Sequence, residues 1–182
     1  MNNIDLTIPK GAIFSDDGKF RYVLWRSTNG MTLFENNSKM RLQIGLNPSK
    51  AGVEINDPTI ERGVRRADMD GFGIFVQINL YAYTSTDPKE LLKGGYYIGE
   101  ENDAYIKQMI NLALSSGGQI VCAWGSFPPV FKRAPEVLKM IPEAYCLGIN
   151  QDGQPKHPLY VSYDTPMVKY YSPSGVEEKK CL

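Results

Sequence analysis

At 182 residues the chain has the length of one ordinary domain, and its 42% apolar and 22% charged composition excludes a disordered, collagen-like or fibrous protein. Lysine plus arginine (20) equals aspartate plus glutamate (20), so the chain lacks the global positive field of a sequence-independent DNA-coating protein, and any nucleic-acid contact must be local. No apolar run reaches the roughly 18 residues that span a bilayer, and the start MNNIDLTIPKGAIF lacks the regions of a signal peptide, which predicts a cytoplasmic protein with no membrane partner.

In chain order, FRYVLWR (20–26), the turn dipeptide Asn29-Gly30 and MTLF (31–34) predict an N-terminal β-hairpin at one edge. Short apolar runs alternating with helical segments follow, the pattern of parallel strands joined by crossover helices. The first run spans 40–46. Asp57 and Pro58 then supply an N-cap and first helical residue, with Ile60, Val64 and Ala67 on one face and Gly71 as the stop. The second run, GFGIFVQINLYAY (71–83), is too apolar to alternate and reads as a strand buried on both faces. Asp87-Pro88 opens a short helix, and a longer one over about 100–114 buries Ile106, Met109, Ile110, Ala113 and Leu114. The third run is QIVCAW (119–124). Pro128, Pro129 and Pro135 predict a turn and then a helix restarting near Ala134. AYCLGI (144–149) is the fourth run, and KHPLYVS (156–162) a last strand or turn. The expected fold is one α/β domain over 1–182, a three-layer α/β/α sandwich around a mostly parallel four-stranded sheet, with its core over about 20–170 and a polar tail over 172–182. Cys122 and Cys146 lie in apolar runs and read as core. With Cys181 they make an odd number without CxxC spacing, against a disulfide framework or a zinc site.

Ligands of open parallel sheets bind beyond the carboxyl ends of the strands. The residues there are Gly45, Leu46, Asn47, Pro48 and Ser49, then Asn79 and Tyr81, then Trp124 and Gly125, and finally Lys156 with His157, the only histidine. Taken singly, an Asn before Pro is a turn former and a lone His a structural residue. As a set they predict a pocket with Asn47 and His157 catalytic and the others binding substrate. Asn47 can orient a water without taking its proton, Asn79 matches the mixed amide edge of a nucleobase, and His157 can donate to an oxygen that becomes negative. Tyr81, Tyr83, Phe127 and Tyr160 are candidates to stack on a planar ligand. Trp124 either lines the pocket or packs beneath it. Asn56, Asp57 and Thr59 at a helix start, with Arg62 and Arg66 on one face and Arg65 further round, read either as a phosphate site or as a capped helix with a solvated basic face. No cofactor or metal is expected, although Asp57, Asp87 and Asp103 could help to hold Mg²⁺ beside phosphates.

IGLNPS (44–49), NDPTIER (56–62), INLYAYTSTDP (78–88), IGEEND (98–103), AWG (123–125) and LGINQDGQPKHPLY (147–160) together closely resemble a bacterial and phage family of unassigned function. More distantly the chain resembles the uracil-DNA glycosylase superfamily, whose motifs occur in the same order. The resemblance implies that Asn47 positions the attacking water, Asn79 recognises a pyrimidine, and HPLYVS supplies the base-polarising His157 and an intercalating loop. Ser49 stands where the superfamily has Tyr or Gly, and Leu159 replaces the first of two serines that pinch the DNA backbone, leaving Ser162. The expected function is therefore nucleobase recognition with hydrolysis of an N-glycosidic bond in DNA or a modified nucleotide. The competing expectation is a non-catalytic nucleotide or nucleic-acid sensor built on the same pocket.

Overall fold

The computed structural model describes residues 4–28, 30, 38–49, 51–93 and 97–171. Seven strands, β1 (Lys10–Phe14), β2 (Arg21–Ser27), β3 (Met40–Gly45), β4 (Ile74–Asn79), β5 (Gln119–Cys122), β6 (Ala144–Cys146) and β7 (Val168–Tyr171), form one mixed sheet in the order β1-β2-β4-β3-β5-β6-β7. The inner four, β4-β3-β5-β6, are parallel, while β2 on one side and β7 on the other add antiparallel edges. The four-stranded expectation is corrected to seven strands in a mixed α/β fold.

The β-hairpin is present in a different register from the expected one. β2 occupies 21–27 as read from FRYVLWR, but its hairpin partner is β1, joined through a turn at Gly18, whose φ is 70°. The sequence signal for that turn is Asp16-Asp17-Gly18. The expected second strand MTLF lies outside the described residues, as does the polar tail. A register shift opposite Tyr22 bulges β2, which lets both Arg21 and Leu24 serve the face covered by the first helix.

That helix, α1 (Pro58–Met69), starts where the Asp57-Pro58 pair predicts, with the Asp57 carboxylate accepting from Thr59 N and Ile60 N at 2.9 Å each. α2 (Asn102–Ser115) and α3 (Val130–Leu138) pack on the opposite face. Travel from β3 to β4 and then back across to β5 sends successive crossover helices to opposite faces. In α2 the buried stripe includes Tyr105 and runs to Ala113, whereas Leu114 is 46% exposed. α3 begins at Val130 rather than near Ala134. Pro128 and Pro129 shape its start, and Pro135 sits on its exposed side, where it removes one hydrogen bond without ending the helix. KHPLYVS forms a 3-10 turn over Pro158–Tyr160, and the last strand is the later β7. Cys122 and Cys146 are buried free thiols.

The two faces of β3 and β4 differ in chemistry. Met40, Leu42, Ile44, Ile74, Val76 and Ile78 enter the main core under α2. Towards α1, a smaller cluster of Leu24, Ala51, Ile60, Ala67 and Phe75 gives way, at the carboxyl ends, to Gln43, Gly45, Gln77 and Asn79. Registry pairs Gln43 with Gln77 and Gly45 with Asn79. Among the described residues, no helix is long and apolar enough to cross a membrane.

Candidate functional site

The chain leaves β3 towards α1 on one face and β5 towards α3 on the other. A crevice opens between two such strands at their carboxyl ends, because their connections diverge. Two adjoining clefts of about 310 and 460 Å³ lie there and share Leu46, Pro88, His157 and Tyr160. Asn47, Asn79 and His157, which are 110 positions apart in sequence at the extremes, line the first together with Gly45, Leu46, Ser49, Asp57 and Thr59. Trp124, Gly125, Lys156 and Phe127 line the second.

Each of the three key residues has a fixed orientation. Asn47 Nδ2 donates to Pro48 O at 3.1 Å and Ser85 O at 3.0 Å, so its Oδ1 is the atom offered as an acceptor. Asn79 closes a chain of amides: Gln43 Nε2 donates to Gln77 Oε1 at 2.9 Å, and Gln77 Nε2 donates to Asn79 Oδ1 at 3.1 Å. Gln77 Nε2 also donates to the Ile78 carbonyl at 2.7 Å, which fixes the polarity of the whole chain. Asn79 Nδ2 is then a buried donor with no hydrogen-bond partner among the described residues. The expected donor-and-acceptor edge of Asn79 is thus reduced to a donor, because Gln77 occupies its oxygen. His157 Nδ1 accepts from Leu159 N at 3.4 Å, which selects the tautomer with its proton on Nε2.

Burial holds the His157 pKa below the ordinary 6.5, with Asp57 opposing the shift. As pH falls, the unfolded chain therefore takes up this proton before the folded one does. The stability contributed by neutral His157 is complete above about 6.5 and is lost as pH drops from there towards the depressed value. Thermal melts between about pH 8 and 5 are expected to fall more steeply for the natural chain than for His157→Gln. Equal slopes would contradict the burial of a neutral imidazole.

Two glycines let these groups approach. A Cβ on Gly45 would lie 2.7 Å from both Asn79 Oδ1 and Gln77 Nε2, and one on Gly125, at φ 74°, would lie 3.3 Å from His157 Cβ. Gly45→Ala is expected to destabilise the fold by about 1–3 kcal/mol and to weaken ligand binding, because the amide chain must shift. Thermal unfolding together with a binding isotherm checks both effects.

The other expected site residues divide. Pro48 contributes its carbonyl to Asn47. Trp124 is 2% exposed, donates from Nε1 to Gln154 Oε1 at 2.8 Å and packs edge-on to Tyr170, so it backs the second cleft as a wall. Tyr81 lies outside both clefts, packed towards the main core with its hydroxyl donating to Pro129 O. Tyr83 packs on Phe20 and Tyr97, leaving Phe127 and the 86% exposed Tyr160 as the aromatic rings at the cleft.

In the basic block, Asn56 accepts from Arg26 Nε at 2.8 Å. Arg62 donates to the carbonyls of Pro158 and Val161, and Arg66 to those of Val161, Ser162 and Tyr163. Both guanidiniums are thereby engaged in holding the turn that follows His157, and α1 begins on a side-chain cap. Of this block only Asp57 and Thr59 line the cleft. Among the described residues, no three His, Cys, Asp or Glu side chains are grouped as metal ligands.

Two residues outside the expected set complete the floor, Gln77 and Arg21, with Gln43 behind them donating to Gln77. Arg21 is 2% exposed and lines the first cleft, donating from Nη1 to Ala51 O. Burial lowers its pKa to about 10, with Asp57 opposing and Arg26 reinforcing the shift, so it stays charged at neutral pH.

The structure is thus a mixed α/β fold with an amide- and imidazole-lined cleft at the carboxyl ends of its parallel strands. Residues 21–159 match the model of the DUF1643 family of proteins of unknown function, and the chain belongs to that family. No curated protein and no solved structure matches it.

Proposed function

We propose that the protein is a nucleobase-recognising hydrolase of the uracil-DNA glycosylase type, which cleaves an N-glycosidic bond in DNA or in a modified nucleotide. The observation that carries this reading is the convergence of Asn47, Asn79 and His157 on one cleft, each held in one orientation with a different group facing a ligand. The parallel order β4-β3-β5-β6 with helices on both faces supports a three-layer α/β/α sandwich of that superfamily's kind.

In this mechanism, water donates a hydrogen bond to Asn47 Oδ1 and attacks the anomeric carbon. The C1′–N bond breaks and its electron pair moves into the base. Charge gathers on a base carbonyl oxygen, which accepts from His157 Nε2–H, while Asn79 Nδ2 donates to another acceptor on the base edge. The hydroxyl stays on the sugar, and the proton of the water leaves with the base.

One observation favours a second reading, a non-catalytic nucleotide or nucleic-acid sensor. Asp57 is the only acid among the described residues lining either cleft, and its Oδ1 accepts both N–H groups of the α1 cap, which holds that carboxylate at the helix start. Release of free base from single-stranded and duplex oligonucleotides and from mononucleotides carrying uracil or modified pyrimidines separates the two. Release that requires Asn47 and His157 establishes the hydrolase. Ligand-induced thermal stabilisation without turnover establishes the sensor.

A further inference from the structure

We propose that Arg21 forms an oxyanion subsite of the cleft, so that the ligand carries a negatively charged oxygen group, a phosphate or a carboxylate, beside the nucleobase. This deepens the nucleobase reading and rests on it for the base. Five arginines are buried, and four of them are well supplied with acceptors. Arg133 pairs with Asp103 and Glu136; Arg41 has Asp70 and Gln119; Arg66 has three carbonyls; Arg26 has Asn56 and three carbonyls. Among the described residues Arg21 has only the Ala51 carbonyl, and its Nε is buried without a partner there. Arg41 and Arg66 also leave Nε unpartnered, so the distinguishing feature of Arg21 is the shortage of acceptors around the entire guanidinium.

A buried charge without a counterion is strongly disfavoured unless something that binds supplies one. Among the described residues no carboxylate makes an ion pair with Arg21, and Asp57, which shares the cleft, is held by its Oδ1 at the first turn of α1. Arg21 also shares the cleft with Asn79, whose Nδ2 is a second buried donor without a partner, and with His157, oriented as a donor. Two unpaired buried donors and an imidazole N–H in one cleft favour an acceptor-rich, anionic ligand. A guanidinium meets phosphate or carboxylate oxygens in a planar, charge-assisted geometry.

The test is calorimetric binding to the full chain at constant ionic strength, using matched pairs: uridine against uridine 5′-monophosphate, and uracil against uracil-5-carboxylate. Ribose 5-phosphate and inorganic phosphate serve as probes without a base. The charged member of at least one pair is expected to bind about tenfold to a hundredfold more tightly than its neutral partner. That advantage is expected to vanish in Arg21→Met, which should bring the charged and neutral members of the pair to equal affinity. The pair that shows it identifies the source, nucleotide phosphate or base carboxylate. If Arg21→Met fails to fold, competition in the natural chain decides: inorganic phosphate should displace the charged ligand and leave the neutral one bound. Equal binding within both pairs, or an advantage that survives Arg21→Met, overturns the subsite and leaves the nucleobase reading standing. Ribose 5-phosphate binding as tightly as the nucleotide would overturn the nucleobase reading and leave the subsite standing.

Discussion

His157→Ala is expected to slow base release by about 100-fold to 1000-fold with little change in substrate affinity, because the Nε2–H of His157 meets its strongest acceptor only when charge reaches the departing base. Asn47→Ala acts on the same step through the water, and its loss should again fall on kcat. In the proposed mechanism Asn79 Nδ2 donates to the base already in the ground state, so Asn79→Ala is expected to act largely on KM, at roughly tenfold. Because Asn47 and His157 act on one transition state, the double variant should be little slower than the worse single one. Single-turnover rates of the natural chain and the four variants, taken across substrate concentrations, measure this pattern. A His157→Ala rate equal to that of the natural chain would remove the histidine from the chemistry.

Much of the fold is legible because the chain marks its elements locally. Asp57 and Pro58 mark the start of α1, as their cap geometry requires, and the apolar 71–83 run contains β4, buried on both faces. The misses have physical causes. β1 opens with Lys10-Gly11, too short and too weakly apolar to mark itself, and its hairpin pairing with β2 is what makes it a strand. β7 is four residues long and follows a polar stretch, so only its pairing with β6 makes it a strand. Pro135 weighs against an early helix in any local reading, yet its ring lies on the exposed side of α3.

The site was legible in its rim and hidden in its floor. Asn47, Asn79, Gly125 and His157 follow strands, where the geometry of parallel sheets concentrates ligand groups. Gln43 and Gln77 lie inside apolar runs, and reading those runs as buried on both faces erased the polar alternation that marks the cleft floor. Arg21 opens an apolar strand, where charge reads as an edge residue. Its position depends on the bulge opposite Tyr22. Helical spacing offers the arginines of α1 either as a phosphate site or as a solvated basic face, but the carbonyls that occupy Arg62 and Arg66 come from nearly 100 positions further along the chain, a tertiary fact that spacing does not contain.

Those arginines carry the second large prediction. Arg66 is 4% exposed and holds three consecutive carbonyls, those of Val161, Ser162 and Tyr163, while Arg62 Nε donates to Pro158 O at 3.0 Å. The guanidiniums of Arg62, Arg65 and Arg66 also lie 4.3, 5.0 and 5.2 Å from the centroid of the Tyr163 ring. Truncating Arg66 to Ala removes its bonds to the part-buried Ser162 and Tyr163 carbonyls, leaves the buried Val161 carbonyl to Arg62 alone, and is expected to cost about 2–4 kcal/mol of stability. Base release should fall as well, because the released segment begins at His157. Arg65→Ala, on an exposed residue whose contact is the Tyr163 ring, should stay within about 1 kcal/mol of the natural chain. A phosphate site in the same block makes the opposite forecast. Arg62→Ala and Arg66→Ala would then keep their melting temperatures, and the dependence of ligand affinity on salt would become shallower. A clamp lowers the melting temperature and leaves the salt dependence unchanged, so melting curves and a salt titration on these variants decide whether α1 serves the ligand directly or through His157.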